Sequence, residues 1–455
     1  MRVVVGKDDG RREPRRGSVR RGDTVPARTA APGRGRPRPA VGLGCLALAL
    51  LLPAAHPRAA GFILYEMGTT DLGTASAGRA AVAKDASTAF GNPAGMTRLD
   101  RSQILVGVQP AYGISHFDKS GDSRGGGNGG NAQGFAPGGA LYGVYSATPD
   151  LKFGLSLGSY LGGSLQYQDN WSGRFYATKS ELLTFGAFPT AAYRINRWLS
   201  VGVGAQILYG KVDYKTAVPN IAGPDGNFQV DQSDVGYGGM AGVLLEPTKT
   251  TRFGVTYTSQ VDFKLKDTGQ LTGAGPILTT LLQRRGIGSK NIDLSFTVPQ
   301  QVMASAYHEL TDRLAVMANV DWQDWSQFGE VEVQANSASQ HRTTNLDYDD
   351  TWGFALGAQY KLADPWTWSV GFAYDTSPLS KSQRTPAIPL DQQWRVGTGL
   401  EYRLNQKLSL GVAYEYLNLG DASMSRDRGP AAGKLDGKYS TNEVHFVDFT
   451  ISYKF

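Results

Sequence analysis

The chain has 455 residues, of which 19% are charged and 41% hydrophobic, and its formal net charge is +6. Residues 1–60 carry thirteen Arg and Lys against four Asp and Glu, a net of +9, which leaves about −3 for residues 61–455. The basic balance therefore belongs to the leader and does not indicate nucleic-acid binding. The single cysteine, Cys45, lies in the same leader, so disulfide and thiolate chemistry is excluded for the remainder.

Residues 1–60 have the order of a secretory signal peptide. A long basic region precedes an apolar run from Val41 to Ala55, and small residues follow it. The run is shorter than the roughly 20 apolar residues that a membrane-spanning helix needs. We expect this leader to be removed near residue 60. A lipid anchor on Cys45 is the less favoured alternative.

Residues 61–101 do not have a strand pattern. They are rich in Ala, Gly, Ser and Thr and contain only short apolar pieces. The segment is either a disordered tail or a plug inside the structure that the following strands enclose.

From Gln103 onward, strand-like runs are separated by connections that are alternately long and short. The long ones are 113–137, 163–180, 217–231, 267–291, 334–349, 377–391 and 420–443. The short ones are 148–150, 196–197, 246–250, 311–313, 363–365 and 405–407. Seven long and six short connections predict fourteen strands. Short turns at one rim and long loops at the other are typical of outer-membrane barrels.

The runs themselves alternate between hydrophobic and polar residues. From Val447 to Phe455 every second residue is apolar, so one face of a strand is apolar and the other polar. The same alternation recurs in 352–362, 366–374, 394–404 and 408–416. The pattern predicts an all-β, antiparallel transmembrane barrel of a bacterial outer membrane, apolar toward lipid and polar toward the lumen. A soluble sandwich of two packed sheets is the alternative.

Four ordered motifs near the expected mature start carry a family resemblance. They are Gly61-Phe62-Ile63-Leu64, Leu72-Gly73-Thr74-Ala75-Ser76-Ala77-Gly78, Asp85-Ala86-Ser87-Thr88 and Asn92-Pro93-Ala94-Gly95-Met96. Together they resemble the N-terminal hatch of the FadL family, outer-membrane transporters of long-chain fatty acids and other hydrophobic compounds. Matches such as Asp321-Trp322-Gln323-Asp324-Trp325-Ser326 and Arg384-Thr385-Pro386 extend the resemblance over the mature chain.

The resemblance implies a fourteen-stranded barrel (102–455) plugged by a small hatch (61–101) that contains Asn92, Pro93 and Ala94. It also implies passive uptake: outer loops collect an apolar molecule, a pocket holds it, and a kink in the third strand releases it sideways. Hatch movement would couple binding to release. Sideways exit into the bilayer keeps an apolar solute out of water. Long-chain fatty acids are the expected substrate, and aromatic or aliphatic hydrocarbons are the alternative.

The predicted third strand, 151–167, contains Gly158, Gly162 and Gly163. Glycine inside a strand often marks a bend or a bulge. We expect these glycines to form the lateral gate. Ordinary barrel curvature with small lumen-facing residues is the alternative.

Residues 276–285, in a long outer loop, have the signals of a short helix. Pro276 suits the first turn, Gly286 suits the end, and four apolar residues share one face. The apolar residues are Ile277, Leu278, Leu281 and Leu282. The resemblance implies that they line a hydrophobic capture groove, and simple packing against neighbouring loops is the alternative.

Arg384 and Arg395 are the candidate partners of a fatty-acid carboxylate, because a guanidinium binds a carboxylate bidentately. Lumen arginines also pair with protein carboxylates such as Glu401 or Asp375, which is the alternative. Phe62, beside the expected mature terminus, is a ligand contact only by resemblance.

No pattern indicates an enzyme, a cofactor or a metal site. The four histidines after residue 60 lack metal-site spacing. We expect a cofactor-free monomer whose partners are a hydrophobic small molecule, outer-membrane lipid and lipopolysaccharide, and the barrel assembly machinery through Phe455. An outer-membrane lipid hydrolase and a structural barrel are the alternatives from other classes.

Overall fold

The computed structural model describes residues 67–455 apart from 122, 124, 221–222, 278, 281–290, 329, 336–340 and 346. The predicted leader and Phe62 therefore lie outside the described residues. None of the helices in the described part of the chain is long and apolar enough to cross a membrane.

Fourteen antiparallel strands make up the fold. In chain order they are β1 (Gln103–Val108 and Ala111–Lys119), β2 (Phe135–Ala136 and Gly139–Ser146), β3 (Leu151–Gln166), β4 (Lys179–Asn196), β5 (Leu199–Val218), β6 (Gly226–Leu245), β7 (Thr251–Thr258 and Val261–Thr268), β8 (Asn291–Val298 and Gln301–Glu309), β9 (Leu314–Gln323 and Glu330–Ala335), β10 (His341–Asn345 and Thr351–Ala363), β11 (Trp366–Asp375), β12 (Gln393–Arg403), β13 (Leu408–Asn418) and β14 (Lys434–Lys454). Short strands Gln270–Thr272 and Met424–Asp427 pair with β6 and β14. Short helices lie at Trp325–Phe328 and Gly429–Ala432.

The barrel is closed. Each strand pairs with its chain neighbours, and β1 pairs with β14 from Gln103↔Lys454 to Val108↔Phe449. Closure pairs the first strand with the last, so neither of them ends the sheet as a free edge, as a barrel in a bilayer requires. The outer parts of β7 to β10 continue beyond the barrel as a separate four-stranded sheet, called here the outer sheet. The predicted fourteen-stranded antiparallel barrel is confirmed.

The two faces of the strands differ as predicted. On β14, Phe449 and Ile451 are 52% and 53% exposed on the outside. Between them, Thr450 is buried on the inside, and so is Asp448. The alternation therefore separates a lipid-facing apolar surface from a polar lumen.

Several long loops are shorter than predicted. β5 continues to Val218 and β6 begins at Gly226, where a loop over 217–231 was expected. β14 begins at Lys434, inside the loop expected over 420–443. The predicted boundaries are wrong because these strand ends lie above the apolar band, where the hydrophobic alternation that marks a strand disappears.

Residues 67–101, called here the inner segment, lie inside the barrel. The segment contains short helices at Leu72–Thr74, Arg79–Val82, Thr88–Gly91 and Pro93–Arg98. Its Gly78 N–H donates to Asn319 Oδ1 of β9 at 2.7 Å, and its Thr97 hydroxyl bonds Ser200 Oγ of β5 at 2.8 Å. Both wall residues are buried on the lumen side. These bonds attach the inner segment to two strands of the wall.

Candidate functional site

Aromatic side chains line the outer part of the interior. Phe263 and Phe296 of the outer sheet stack with ring centroids 5.0 Å apart, and Phe328 lies edge-on to Phe296 at 6.2 Å. Trp325 and Tyr348 pack against Phe328. All five side chains are buried. This part of the interior is therefore a closely packed aromatic cluster.

Deeper in the barrel, three rings from three elements meet. Phe90 of the inner segment lies 6.0 Å from Tyr160 of β3 and 5.0 Å from Phe188 of β4. Tyr160 and Phe188 are 5.9 Å apart, and all three contacts are edge-to-face. These rings belong to the same apolar cluster as the outer-sheet aromatics. Apolar surface therefore continues from the outer sheet down to the inner segment.

β3 bends inward beside these rings. Its pairing with β2 stops at Gly158, opposite Ala140, and its pairing with β4 shifts register between Ser159 and Gly162. Residues 160–165 are all buried, so the alternation of inward and outward side chains is lost there. A register shift of this kind is a β-bulge, which bends a strand and interrupts its ladder.

Thr184 of β4 supports the bulge. Its hydroxyl accepts a hydrogen bond from the Leu161 N–H at 2.7 Å and donates to the Leu161 carbonyl at 2.9 Å. The Ser159 hydroxyl donates to the Thr184 carbonyl at 2.9 Å. Side-chain bonds thus replace the ladder bonds that the bulge removes, and the bend is a built feature of the wall.

Asn92 fixes the inner segment both to itself and to the wall. Its side-chain amide donates to the Ala80 carbonyl at 2.7 Å and to the Val243 carbonyl of β6 at 3.0 Å. Its Oδ1 accepts the Ala94 N–H at 3.1 Å. The residue is fully buried, and Pro93 occupies the first position of the helix that follows.

Glycines on the wall allow the inner segment to approach closely. A Cβ at Gly254 of β7 would overlap the Ala80 carbonyl oxygen, and one at Gly371 of β11 would overlap that of Thr74. The same holds at Gly397 of β12, against the Leu72 carbonyl. These contacts are between backbone atoms of the wall and of the inner segment, so neither side can shift without disturbing its main-chain hydrogen bonds. The segment is therefore fitted to several strands around the barrel.

A family model described as outer membrane protein transport protein (OMPP1/FadL/TodX) matches residues 50–455. The chain belongs to this family. A long-chain fatty acid transport protein of Escherichia coli O6:H1 is 28% identical over 428 residues, covering 86% of this chain and 94% of the relative. Outer membrane protein P1 of Haemophilus influenzae is 28% identical over 419 residues, covering 82% and 89%.

Solved structures share the fold. A Pseudomonas aeruginosa FadL homologue superposes with a TM-score of 0.79 at 23% identity, covering 87% of this chain and 100% of that chain. The Ralstonia pickettii toluene transporter TbuX gives 0.61 at 18% identity, covering 86% and 100%. The predicted family and outer-membrane location are confirmed. The family consists of transport proteins, which agrees with the prediction that the chain is not an enzyme.

Arg384 lies in the loop between β11 and β12 and is engaged by protein groups. Its guanidinium donates to the carbonyls of Leu390 and Ser423, both at 2.6 Å, and lies 3.0 Å from Asp391. Burial lowers the pKa of Arg384, and the Asp391 carboxylate opposes that shift. The arginine therefore holds loop residues together, and its predicted role with a ligand stays a prediction.

Arg395 of β12 is also engaged, as the alternative interpretation supposed. Its Nη2 lies 3.1 Å from Asp375 Oδ2 of β11, and both side chains are largely buried. An anionic ligand would have to compete with this carboxylate. Its ligand-binding role likewise stays a prediction.

The predicted capture helix is only partly within the described residues. Ile277 is 50% exposed, and the Thr279 N–H bonds the Gly275 carbonyl at 2.9 Å, as in a helical turn. Leu278, Leu281 and Leu282 lie outside the described residues, as does Phe62. The predicted groove therefore stays a prediction.

The described residues add functional candidates that the sequence reasoning missed. Thr184 and the wall glycines have no sequence signal, because their partners are far away in the chain. An ion pair between Lys84 of the inner segment and Glu401 of β12, at 2.9 Å, was also missed. Within the described ranges, no group of three or more His, Cys, Asp or Glu side chains is arranged to hold a metal.

Proposed function

We propose that this chain takes up hydrophobic small molecules across the outer membrane, with long-chain fatty acids as the principal substrate. The carrying observation is the apolar lining that runs from the outer sheet to Tyr160 at the bend of β3. The relatives named long-chain fatty acid transport proteins support the substrate class. A cluster of aromatic and aliphatic side chains suits an acyl chain, which gains free energy when it leaves water.

The proposed route has three stages. The outer loops, including Ile277, Leu278, Leu281 and Leu282, collect the solute. The aromatic interior then holds it beside Phe90. It leaves sideways where β3 separates from β2, at the lateral gate formed by Gly158, Gly162 and Gly163. The support for this gate is the loss of β2 pairing beyond Gly158.

Residues 61–101 act as the hatch in this proposal, before a barrel of residues 102–455, and the leader 1–60 is removed. Asn92, Pro93 and Ala94 anchor the hatch through the bonds to Ala80 and Val243. Because this anchor is buried, hatch movement during transport would involve residues away from it.

Uptake of aromatic or aliphatic hydrocarbons is the second candidate, and one observation favours it. Arg384 and Arg395 both lie against protein carboxylates, at 3.0 and 3.1 Å. A hydrocarbon needs no cation, and the stacked rings of Phe263 and Phe296 suit an aromatic solute.

Binding of labelled oleate and toluene to the refolded barrel tests both candidates. Saturable oleate binding supports the fatty-acid proposal, and the variant Arg395→Gln should then bind oleate more weakly if the carboxylate contacts that residue. Toluene binding without oleate binding moves the assignment to hydrocarbons. Binding of neither ligand would contradict the proposed function. Phe328→Ala should weaken either ligand, whereas Phe153→Ala, on the lipid face of β3, should not.

Deletion of Leu161 tests the sideways exit. The bulge places one additional residue in β3, so its removal should let β3 pair continuously with β4 and lose the bend. We expect oleate binding to persist and uptake into cells to fall. Deletion of Gly121, in the loop after β1 with open space around it, is the matched control. Unchanged uptake after loss of Leu161 would contradict the lateral gate.

The remaining partners are proposed from position. Phe455 is 55% exposed at the end of β14, where the barrel assembly machinery could recognise it. The exposed apolar face contacts membrane lipid, and the outer loops face lipopolysaccharide. We propose that the barrel works as a monomer. Phe455→Ala should lower the assembled fraction, measured as heat-modifiable migration on gels, and an unchanged fraction would refute the recognition.

A further inference from the structure

Small cavities lie beneath the apolar interior, on the side of the barrel made by β10 to β14 and β1. An upper cavity of about 30 Å³ is bounded by the inner segment and Gln359 of β10. A middle cavity of about 20 Å³ lies against β11 to β14. A lower cavity of about 170 Å³ reaches the turn Asn405, Gln406 and Lys407. Short turns mark the periplasmic rim, so the lower cavity faces the periplasm.

The three cavities are neighbours, because Thr70 and Lys84 line all of them. Phe90 lines the upper cavity, and its ring also belongs to the aromatic group with Tyr160 and Phe188. The three cavities therefore follow one another from the floor of the apolar interior to the periplasmic rim. This path is separate from the bend of β3, on which the proposed sideways exit depends.

The Lys84–Glu401 ion pair crosses this path. Nζ and Oε2 are 2.9 Å apart, and the side chains are 29% and 33% exposed, as expected for groups that face water inside the barrel. Burial would lower the pKa of Lys84, but Glu401, with Asp85 and Asp71, raises it above its ordinary value. Lys84 is therefore charged and held across the lumen.

Ion pairs balance the charges around the lower cavity. Its cations Lys84, Arg403 and Lys454 lie against Glu401, Asp364 and Asp100. Removing Glu401 would therefore leave Lys84 as an unpaired cation facing this space.

We propose that these cavities form a hydrated side passage that admits water from the periplasm, closed by the Lys84–Glu401 pair. Water enters a buried space where polar groups can bind it, and Lys84, Asp85 and Glu401 supply such groups in the lower cavity. The inference stands apart from the identity of the transported solute.

Thiol labelling tests the passage. Residues 61–455 contain no cysteine, so Gln359→Cys places a single thiol above the ion pair, where the upper and middle cavities meet. The probes are a negatively and a positively charged methanethiosulfonate, applied to the barrel in lipid vesicles. Glu401→Gln and Lys84→Met each remove one partner of the pair. Lys438→Met, which removes one partner of the exposed ion pair with Asp421 and does not line these cavities, is the matched control.

We expect Glu401→Gln and Lys84→Met to label several-fold faster than the parent, as suits the loss of a partly exposed ion pair. The control should label at the parent rate, and the exchanged pair Lys84→Glu with Glu401→Lys should restore slow labelling. In Glu401→Gln the anionic probe should react faster than the cationic one.

Equal rates in the parent and both single variants would overturn the passage, as would acceleration by Lys438→Met of the same size. Faster reaction of the cationic probe with Glu401→Gln would overturn the placement of an unpaired Lys84 in the passage. Heat-modifiable migration shows which variants are folded, and the exchanged pair separates loss of the ion pair from misfolding. Oleate and toluene binding measured in the same variants reports on hydrophobic uptake independently.

Discussion

Buried and half-buried polar side chains of the inner segment have specific partners. Asp71 lies 2.7 Å from the Arg79 guanidinium, and Asn92 bonds backbone groups of the segment and of β6. A polar group that loses its hydrogen-bond partner in the interior still pays the free energy of desolvation, and no hydrogen bond offsets it. Single substitutions at these residues should therefore be costly although they change no apolar contact.

Asn92→Ala is expected to destabilise the barrel. The Ala80 and Val243 carbonyls and the Ala94 N–H would each lose a partner. Each unsatisfied buried group costs about 1–3 kcal/mol, so the free energy of unfolding in lipid vesicles should fall measurably in a denaturant titration. Asn128→Ala, which removes an exposed hydrogen bond to Asp118, is the control and should leave it unchanged. An unchanged Asn92→Ala protein would show that the segment is not anchored there.

Asp71→Asn should destabilise the protein in a pH-dependent way. Burial would raise the pKa of Asp71, but Arg79 lowers it below its ordinary value of 3.8. A lowered pKa means that the charged carboxylate stabilises the fold above pH 3.8 and loses this effect as pH falls through the lower folded value. Removing one partner of a buried pair costs roughly 3 kcal/mol. At neutral pH the free energy of unfolding of Asp71→Asn should therefore be lower than that of the parent by that amount.

The check is the free energy of unfolding of parent and Asp71→Asn as a function of pH. The difference between them should shrink once the pH is below 3.8. Asp364→Asn, in the exposed pair with Arg403, should show no comparable change. A difference independent of pH would refute the assigned role of the charge.

At the scale of elements, the inner segment and the barrel strands fit together through backbone contacts. Gly254 of β7 faces the Ala80 carbonyl so closely that no side chain can be added. Gly239 of β6 has only the Gly204 carbonyl nearby, and a Cβ there would be 3.7 Å from it. The two positions differ in what they face rather than in residue type.

Gly254→Ala should therefore destabilise the protein, by about 1–3 kcal/mol if the strain is typical of overpacking. Gly239→Ala should be tolerated. Denaturant titrations of both variants in the same vesicles provide the comparison. Equal tolerance of both alanines would contradict the prediction. It would mean that the inner segment can move away from β7 at little cost and that the close contact contributes little to the free energy of unfolding.

At the scale of the whole molecule, the lipid-facing surface determines how the barrel sits in the bilayer. Leu356 is 67% exposed, midway along Thr351–Ala363 of β10, and Leu404 is 50% exposed beside the short turn before β13. Both are outward leucines, but only Leu356 lies at the depth of the hydrocarbon centre.

Leu356→Arg should lower the free energy of unfolding in vesicles by about 2–4 kcal/mol, the cost of arginine at the midplane. Leu404→Arg should lower it by only about 0–1 kcal/mol, because an arginine near the interface reaches water. Equal costs at the two positions would place the bilayer elsewhere on the barrel.

The sequence by itself determined the strand number, the two faces of the wall, and the family. These follow from local properties of the chain. Apolar and polar residues alternate along each strand, turn residues separate the strands, and short motifs such as Asn92-Pro93-Ala94 mark the family. It misjudged loop boundaries, as at 217–231, because strands above the membrane have no apolar face to mark them.

Only the tertiary structure decided how the inner segment is held and how the charges pair. Lys84 and Glu401 are 317 residues apart in sequence, and Gly78 and Asn319 are 241 apart. Only the folded chain places Asp391 beside Arg384, and only the bulge of β3 places Leu161 against Thr184. Such contacts arise only when the barrel closes, because closure alone brings distant strands and the segment within hydrogen-bonding distance.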